Sequence, residues 1–272
     1  MSKIDSIRGM HDLIDKDLST QYRLINKFVL VVESFNFKPI STPIMEYSEV
    51  FKRTLGSSTD VVMKEMYSLK DRSGENITLR PEGTAGIARA VISNGLTQSL
   101  PLKFYYFGPM FRYERPQRGR LRQFTQIGIE IFSSPSYHRD FEAINIADKY
   151  LSSLGINENL NLQINNLGTL KCRLSYKENL IKYYTQNIKK LSKDSLIRLE
   201  QNPLRILDSK DPNDVKINSN APLISNYISK DSKNYFRKLK DLLTNAKINY
   251  KENPFLVRGL DYYNNFIFEY TL

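Results

Sequence analysis

On a strand running from Phe124 to Phe132, side chains alternate between faces, so Gln126, Gly128 and Glu130 share one side and Ile127, Ile129 and Ile131 the other. An amide and a carboxylate flanking a glycine leave a slot above the sheet where a small polar ligand could lie. Phe124 and Phe132 would wall the slot, and the isoleucines would face the core; a solvated strand face has the same pattern. Arg112, Arg115, Arg118, Arg120 and Arg122 place five guanidiniums in eleven residues. Like charges so crowded repel one another, and planar bidentate donors suit phosphate oxygens, although a solvated basic loop is the ordinary alternative. Pro81-Glu82-Gly83-Thr84 reads as a turn opening a helix, with Thr84 as cap and Gly83 letting a ligand approach the backbone. Glu82 and Thr84 could together hold an ammonium group, or form a bare capping turn. In LVRGLDYY, residues 256–263, Arg258 needs an anionic partner if buried, either a substrate or an ordinary Asp or Glu. His11 and His138 lie far apart with no metal-ligand spacing around them, and neither GxGxxG nor GxxxxGK[ST] occurs.

These groups need elements to hold them. Leu18, Tyr22, Ile25, Val29, Val32 and Phe35 recur at helical spacing and predict a helix from Asp17 to Phe35. A strand is expected at Lys38 to Ile44, and a short helix between Ser48 as N-cap and Gly56 as stop. Met66 to Leu69 and Ile77 to Leu79 read as a hairpin turning at Asp71 to Gly74, followed by a helix from Thr84 to Asn94. Leu102 to Arg112 and Leu121 to Phe132 read as two long antiparallel strands joined by the basic loop. A helix from Tyr137 to Leu154 ends at Gly155, and a strand spans Leu160 to Ile164. A strand at Phe255 to Tyr263 would turn at Asn264-Asn265 into a second strand of a hairpin, inside which the chain stops. The pattern predicts an α+β fold built on an antiparallel sheet flanked by helices, with a helical insertion. Residues 1–168 would form the first part of a core, 169–249 a basic helical insertion, and 250–272 the continued core.

The 272 residues, 40% hydrophobic and 25% charged, exclude disorder and collagen. The net +11 points to a polyanionic partner, nucleic acid first, with AT-rich codon usage as the bland explanation. Residues 171–250 carry +9 of that charge and the rest only +2. One cysteine, Cys172, cannot form an internal disulfide, which makes a cytoplasmic location the default. No apolar run reaches the roughly 20 residues of a membrane span, and no signal peptide or membrane association is expected.

IRGMHDL at 7–13, FKRTLGSSTDVVMKEMYSLKDRSGENITLRPEGTAGIARA at 51–90, FGPMFRYERPQRGRLRQFTQIGIEIF at 107–132, NPLRILDSKDP at 202–212 and LVRGLDYYN at 256–264 together resemble histidyl-tRNA synthetase, a class II aminoacyl-tRNA synthetase, over essentially the whole chain. The resemblance implies ATP-dependent activation of L-histidine to histidyl-adenylate and transfer to tRNA(His). Mg2+ would assist, and the enzyme would be a homodimer built on the first long helix and the strand after it. It implies that Glu82, Gly83, Thr84 and Gln126 bind the α-amino end of histidine, and that Glu130, Tyr262 and Tyr263 line the imidazole pocket. Arg112 and Arg258 would act on the α-phosphate, with Glu114 and Arg120 as further ATP ligands. The family's GGRYD motif, its ATP-clamping arginine and its anticodon-binding domain lie beyond Leu272, so the chain alone is expected to adenylate weakly or not at all. A rival from the same fold is the histidine-binding regulatory subunit of ATP phosphoribosyltransferase, against which the intact ERPQRGR loop argues. A nucleic-acid-binding fragment without catalysis is the third reading.

Overall fold

The computed structural model describes residues 4–56, 59, 61–115, 119–156, 159–258 and 263–271. They form two compact units, the first comprising residues 1–135 with 149–155 and the second residues 136–148 with 156–272. Helices accompany antiparallel and mixed sheets, an α+β architecture.

The first unit opens with α1, Lys16–Ser34, whose Ile25, Phe28 and Val32 are buried at helical spacing. The buried stripe is rotated from the expected one, since Phe28 takes an inward place and Tyr22 stays 58% exposed. The strand expected at residues 38–44 shrinks to β1, Lys38–Pro39, paired parallel with Phe104 and Tyr105. Pro39 has no N–H to donate, and beyond Ile40, whose N–H still reaches the Tyr105 carbonyl, the chain leaves for a different sheet. There β2, Met45–Tyr47, lies beside β4, Asn76–Leu79, which pairs in turn with β3, Tyr67–Lys70. The turn between β3 and β4 is closed by the Asp71 carboxylate, which accepts from the N–H groups of Ser73 and Glu75 at 2.9 Å each. Ser48 is not a cap. It is the first residue of α2, Ser48–Leu55, and its hydroxyl shares a 2.6 Å hydrogen bond with Thr78 instead.

After α3, Thr84–Ser93, come β5, Leu102–Phe111, and β6, Gln123–Phe132, antiparallel in register from Leu102 opposite Phe132 to Phe111 opposite Gln123. Both faces of this ribbon are covered. Tyr105 packs on Phe28 of α1 and donates to Glu33 at 2.9 Å on one side. On the other, Tyr106 and Met110 join Ile87 and Val91 of α3, with Phe124 and Phe132 packed against them. The face carrying Gln126 and Glu130 therefore holds the buried cluster, whereas Ile127, Ile129 and Ile131, expected as core, are only half-buried.

α4, Tyr137–Ser153, begins in the second unit, which continues with β7, Asn161–Gly168, ending four residues beyond the expected strand. Its sheet runs β8-β7-β9, where β8 is Lys251–Glu252, parallel to β7, and β9 is Asn265–Thr271, antiparallel to it. The hairpin expected around Asn264-Asn265 is absent from the described residues, since residues 255–258 are not strand and β9 pairs with β7 instead. Asn265 does take a positive φ of 54°. Between β7 and β8 lie α5, Leu170–Gln186, α6, Lys193–Gln201, α7, Pro212–Asn218, and α8, Lys230–Asn245. Tyr176, Leu180 and Tyr184 of α5 anchor one core and Leu239 and Leu243 of α8 another. Asn165 and Asn166 of β7 are buried, and their amides donate to the carbonyls of Leu256 and Ser232 at 2.9 Å.

Candidate active site

The first turn of α3 faces the middle of β6. Glu82 is 3% exposed, and its carboxylate accepts from the N–H groups of Thr84 and Ala85 at 2.8 Å each. The helix is thus capped by Glu82, not by Thr84, and the carboxylate lies at the positive end of the helix dipole. The Thr84 hydroxyl is turned to β6, donating to Glu130 Oε1 at 2.7 Å. Burial pushes the Glu130 carboxyl up from 4.5 to about 7, with the nearby Glu82 charge adding to the rise and the Thr84 bond opposing it. Burial raises Glu82 as well, against its two backbone N–H bonds, the Thr84 side chain and the Arg112 charge. On the same face Gln126 Oε1 is buried without a hydrogen-bond partner. Two raised carboxyls and an unsatisfied amide oxygen form a cluster rich in acceptors. A cation donating several N–H groups would satisfy it.

The glycine between Gln126 and Glu130 leaves no open slot. Tyr106, opposite Gly128 in the ladder, lays its ring across it, so a Cβ at Gly128 would stand 2.5 Å from the ring and one at Gly83 2.3 Å. The ligand-accepting atoms lie around this ring rather than over bare backbone. Sequence reasoning missed Tyr106 because its place depends on register. It missed Arg80 too: this 7% exposed guanidinium donates to the carbonyls of Pro109 and Thr42 at 2.9 Å, so that β4, β5 and the segment before β2 are tied together.

At the far end of the ribbon, Arg112 Nε donates to the Pro81 carbonyl at 2.9 Å, which orients the guanidinium over the Phe124 ring, 5.2 Å from its centroid. Glu114 Oε2 pairs with Arg120 at 3.1 Å, while its Oε1 is 3.9 Å from Arg112, beyond hydrogen-bond reach. Arg122 stacks at 3.8 Å on Tyr113 and its N–H meets the Gly9 carbonyl at 2.7 Å, which pins the IRGM segment to the ribbon. Arg115 is exposed, and Arg118 lies outside the described residues.

The second unit holds Arg258 and Tyr263. Arg258 donates to the Phe268 carbonyl at 2.9 Å and pairs with Glu269 at 3.3 Å, the ordinary carboxylate partner. Both side chains are about a third exposed, at 32% and 40%, and such a pair is held by ~1 kcal/mol or less, so an anion can compete for the arginine. Arg258 and Tyr263 line a cavity of about 480 Å³ with Asp140, Phe266 and Phe268. Tyr262 and Asp261 lie outside the described residues. Among the described residues no group of three or more His, Cys, Asp or Glu could hold a metal ion, and no helix is long and apolar enough to cross a membrane.

A family model described as histidyl-tRNA synthetase matches residues 9–271. A histidine–tRNA ligase of Gluconobacter oxydans is 47% identical over 271 residues, covering 100% of this chain and 65% of that relative. One of Blochmanniella pennsylvanica is 44% identical over 268 residues, covering 98% and 61%. The crystal structure of apo S. aureus histidyl-tRNA synthetase superposes with a TM-score of 0.76 at 32% identity, covering 98% of this chain and 61% of that one. A Bacillus halodurans structure described as an ATP phosphoribosyltransferase regulatory subunit/histidyl-tRNA synthetase gives 0.73 at 22% identity, covering 100% and 73%, a likeness of fold alone. The chain spans 61–65% of the length of these two curated relatives.

Proposed function

This chain belongs to the histidyl-tRNA synthetase family, and on that premise we propose that it carries the histidine-activating part of a histidine–tRNA ligase. The observation that supports this best is the acceptor cluster of Glu82, Gln126 and Glu130 around the start of α3. Histidine carries an ammonium with three donors and an imidazole with one or two. Glu82 and Gln126 Oε1, with the Thr84 hydroxyl as a rotatable partner, would receive the ammonium. Glu130 would receive an imidazole N–H. A second imidazole contact would come from Tyr262 or Tyr263. An amino acid lacking those donors would leave buried acceptors unpaired, which discriminates by roughly 10⁴-fold or more.

In the first step the histidine carboxylate attacks the α-phosphorus of ATP and pyrophosphate leaves. A ribose hydroxyl of tRNA(His) then attacks the adenylate carbonyl and AMP leaves. No side chain forms a covalent bond in either step. Arg112, oriented by Pro81, would hold the α-phosphate and offset the charge that grows on its oxygens, and Arg258 is proposed as a further anion-binding arginine. Glu114 and Arg120 would bear on the rest of ATP. Mg2+ enters with ATP as part of the substrate, because this ion binds chiefly to phosphate oxygens and water with one or two carboxylates. A cytoplasmic homodimer is part of the proposal, as is contact between the lysine-rich residues 169–249 and the tRNA acceptor stem.

Histidine-dependent ATP–pyrophosphate exchange by the native-length protein tests the reading. Exchange with histidine and not with other amino acids is expected. Binding of histidine without exchange, together with tight binding to a short phosphoribosyltransferase, would favour the regulatory-subunit reading instead.

A further inference from the structure

Tyr106 is 7% exposed, and no role in the proposed reaction falls to it. Its ring is nevertheless in the middle of the cluster. On one side it fills the place of a side chain at Gly128, between Gln126 and Glu130. On the other it fills the place of one at Gly83, between Glu82 and Thr84. A Cβ at Gly83 would stand 2.3 Å from Tyr106 Cε2 and 2.8 Å from its hydroxyl oxygen, and one at Gly128 2.5 Å from both Cζ and that oxygen. These are ring atoms and the oxygen fixed to them, and Ile87, Val91 and Met110 pack with the same side chain. The ring cannot swing aside without disturbing that cluster.

We propose that Tyr106 is a positioning residue for the amino-acid substrate: its ring is the spacer that sets how far the Glu82–Thr84 turn stands from the Gln126–Glu130 strand. The 2.7 Å bond from Thr84 to Glu130 bridges the two sides of the spacer. Two glycines are needed because a flat six-membered ring fits between two backbones only where neither carries a Cβ. A thinner side chain would let the turn settle toward the strand. The carboxylates would then lose their match to an ammonium and an imidazole held a fixed distance apart in one ligand.

The inference rests on the proposed activity, and the test separates the two. In the native-length protein, Tyr106→Leu is expected to raise the KM for histidine in pyrophosphate exchange by about tenfold to a hundredfold while the KM for ATP changes by less than about twofold. Tyr106→Phe, which keeps the ring, is expected to stay within about threefold of the parent for both substrates. Equal changes in both KM values, or a lowered Tm with neither KM changed, would make Tyr106 a merely structural residue and overturn the proposal. If Tyr106→Leu does not fold, Gly128→Ala applies the same test from the other side, by pushing on the ring with one methyl group. It too is expected to raise the histidine KM selectively, and an unselective change or none overturns the proposal. Lack of histidine-dependent exchange in the parent protein would instead refute the proposed activity.

Discussion

Glu130 and Glu82 are two buried carboxyls within interaction range of each other, and the first binds its proton up to about pH 7. In the unfolded chain Glu130 ionises near 4.5, so between 4.5 and about 7 the folded form binds more protons and stability falls as pH rises. The loss from this residue alone is on the order of 3 kcal/mol once the pH has passed 7. Glu130→Gln is expected to flatten that part of the curve in urea unfolding at a series of pH values; an unchanged slope would mean that another group titrates there. The same substitution should raise the histidine requirement in exchange much more than the ATP requirement, and equal effects would remove Glu130 from the imidazole site. A bound imidazole or ammonium favours the ionised carboxylate. The number of protons exchanged with buffer when histidine binds near pH 6.5, read in calorimetry from the dependence of the heat on the buffer's ionisation enthalpy, should therefore differ between the parent and Glu130→Gln, and an unchanged number would mean that Glu130 does not change its protonation on binding.

The β5–β6 ribbon was legible because its alternation is long and regular, and residues 102–112 and 121–132 were placed almost to the residue. What the two strands set opposite each other was not legible. Tyr106 meets Gly128 only because of the ladder register, and no local pattern in either strand announces that a ring will occupy the glycine. Prolines explain another miss: Pro39 and Pro43 remove donors from a segment whose apolar residues otherwise read as one strand. Around Leu256 and Arg258 the apolar run is used for packing on α5's core instead of for a ladder. Asp214 was missed altogether. It is fully buried in α7 and accepts from the Ser192 N–H and from the hydroxyls of Ser192, Ser195 and Ser209, at 2.6–2.9 Å, joining segments that share no periodicity. Burial opposes its ionisation, but these bonds together outweigh burial, and the carboxyl titrates below its ordinary 3.8. Its stabilisation is present above pH 3.8 and is lost as pH falls through the lower folded value. Asp214→Ala is expected to lower stability by about 1–3 kcal/mol by leaving serine donors unpaired. A change under about 0.5 kcal/mol would show that water replaces the carboxylate.

The whole chain's charge is uneven, with +9 of +11 in residues 171–250, and Lys182, Lys189, Lys190 and Lys193 are all exposed there. If these lysines meet tRNA phosphates, replacing all four by glutamine should flatten the log–log salt dependence of tRNA binding by about 0.9 per lost contact. An unchanged slope would return the charge to codon usage. The chain is also threaded through both units: residues 149–155 belong to the first unit although they lie within the stretch that builds the second. The pairing of β7 with β9 joins residues such as Gln163 and Glu269, about a hundred positions apart. During synthesis from the N-terminus, the β5–β6 ribbon can close as soon as residue 132 is free of the ribosome, whereas β7 must wait, with both edges unpaired until β8 at residues 251–252 is made and one edge until residue 271 has been made. At 5–20 residues per second that wait is on the order of 5–20 s. A nascent chain halted in this interval is the form of the protein on which a chaperone that captures exposed strand edges would act.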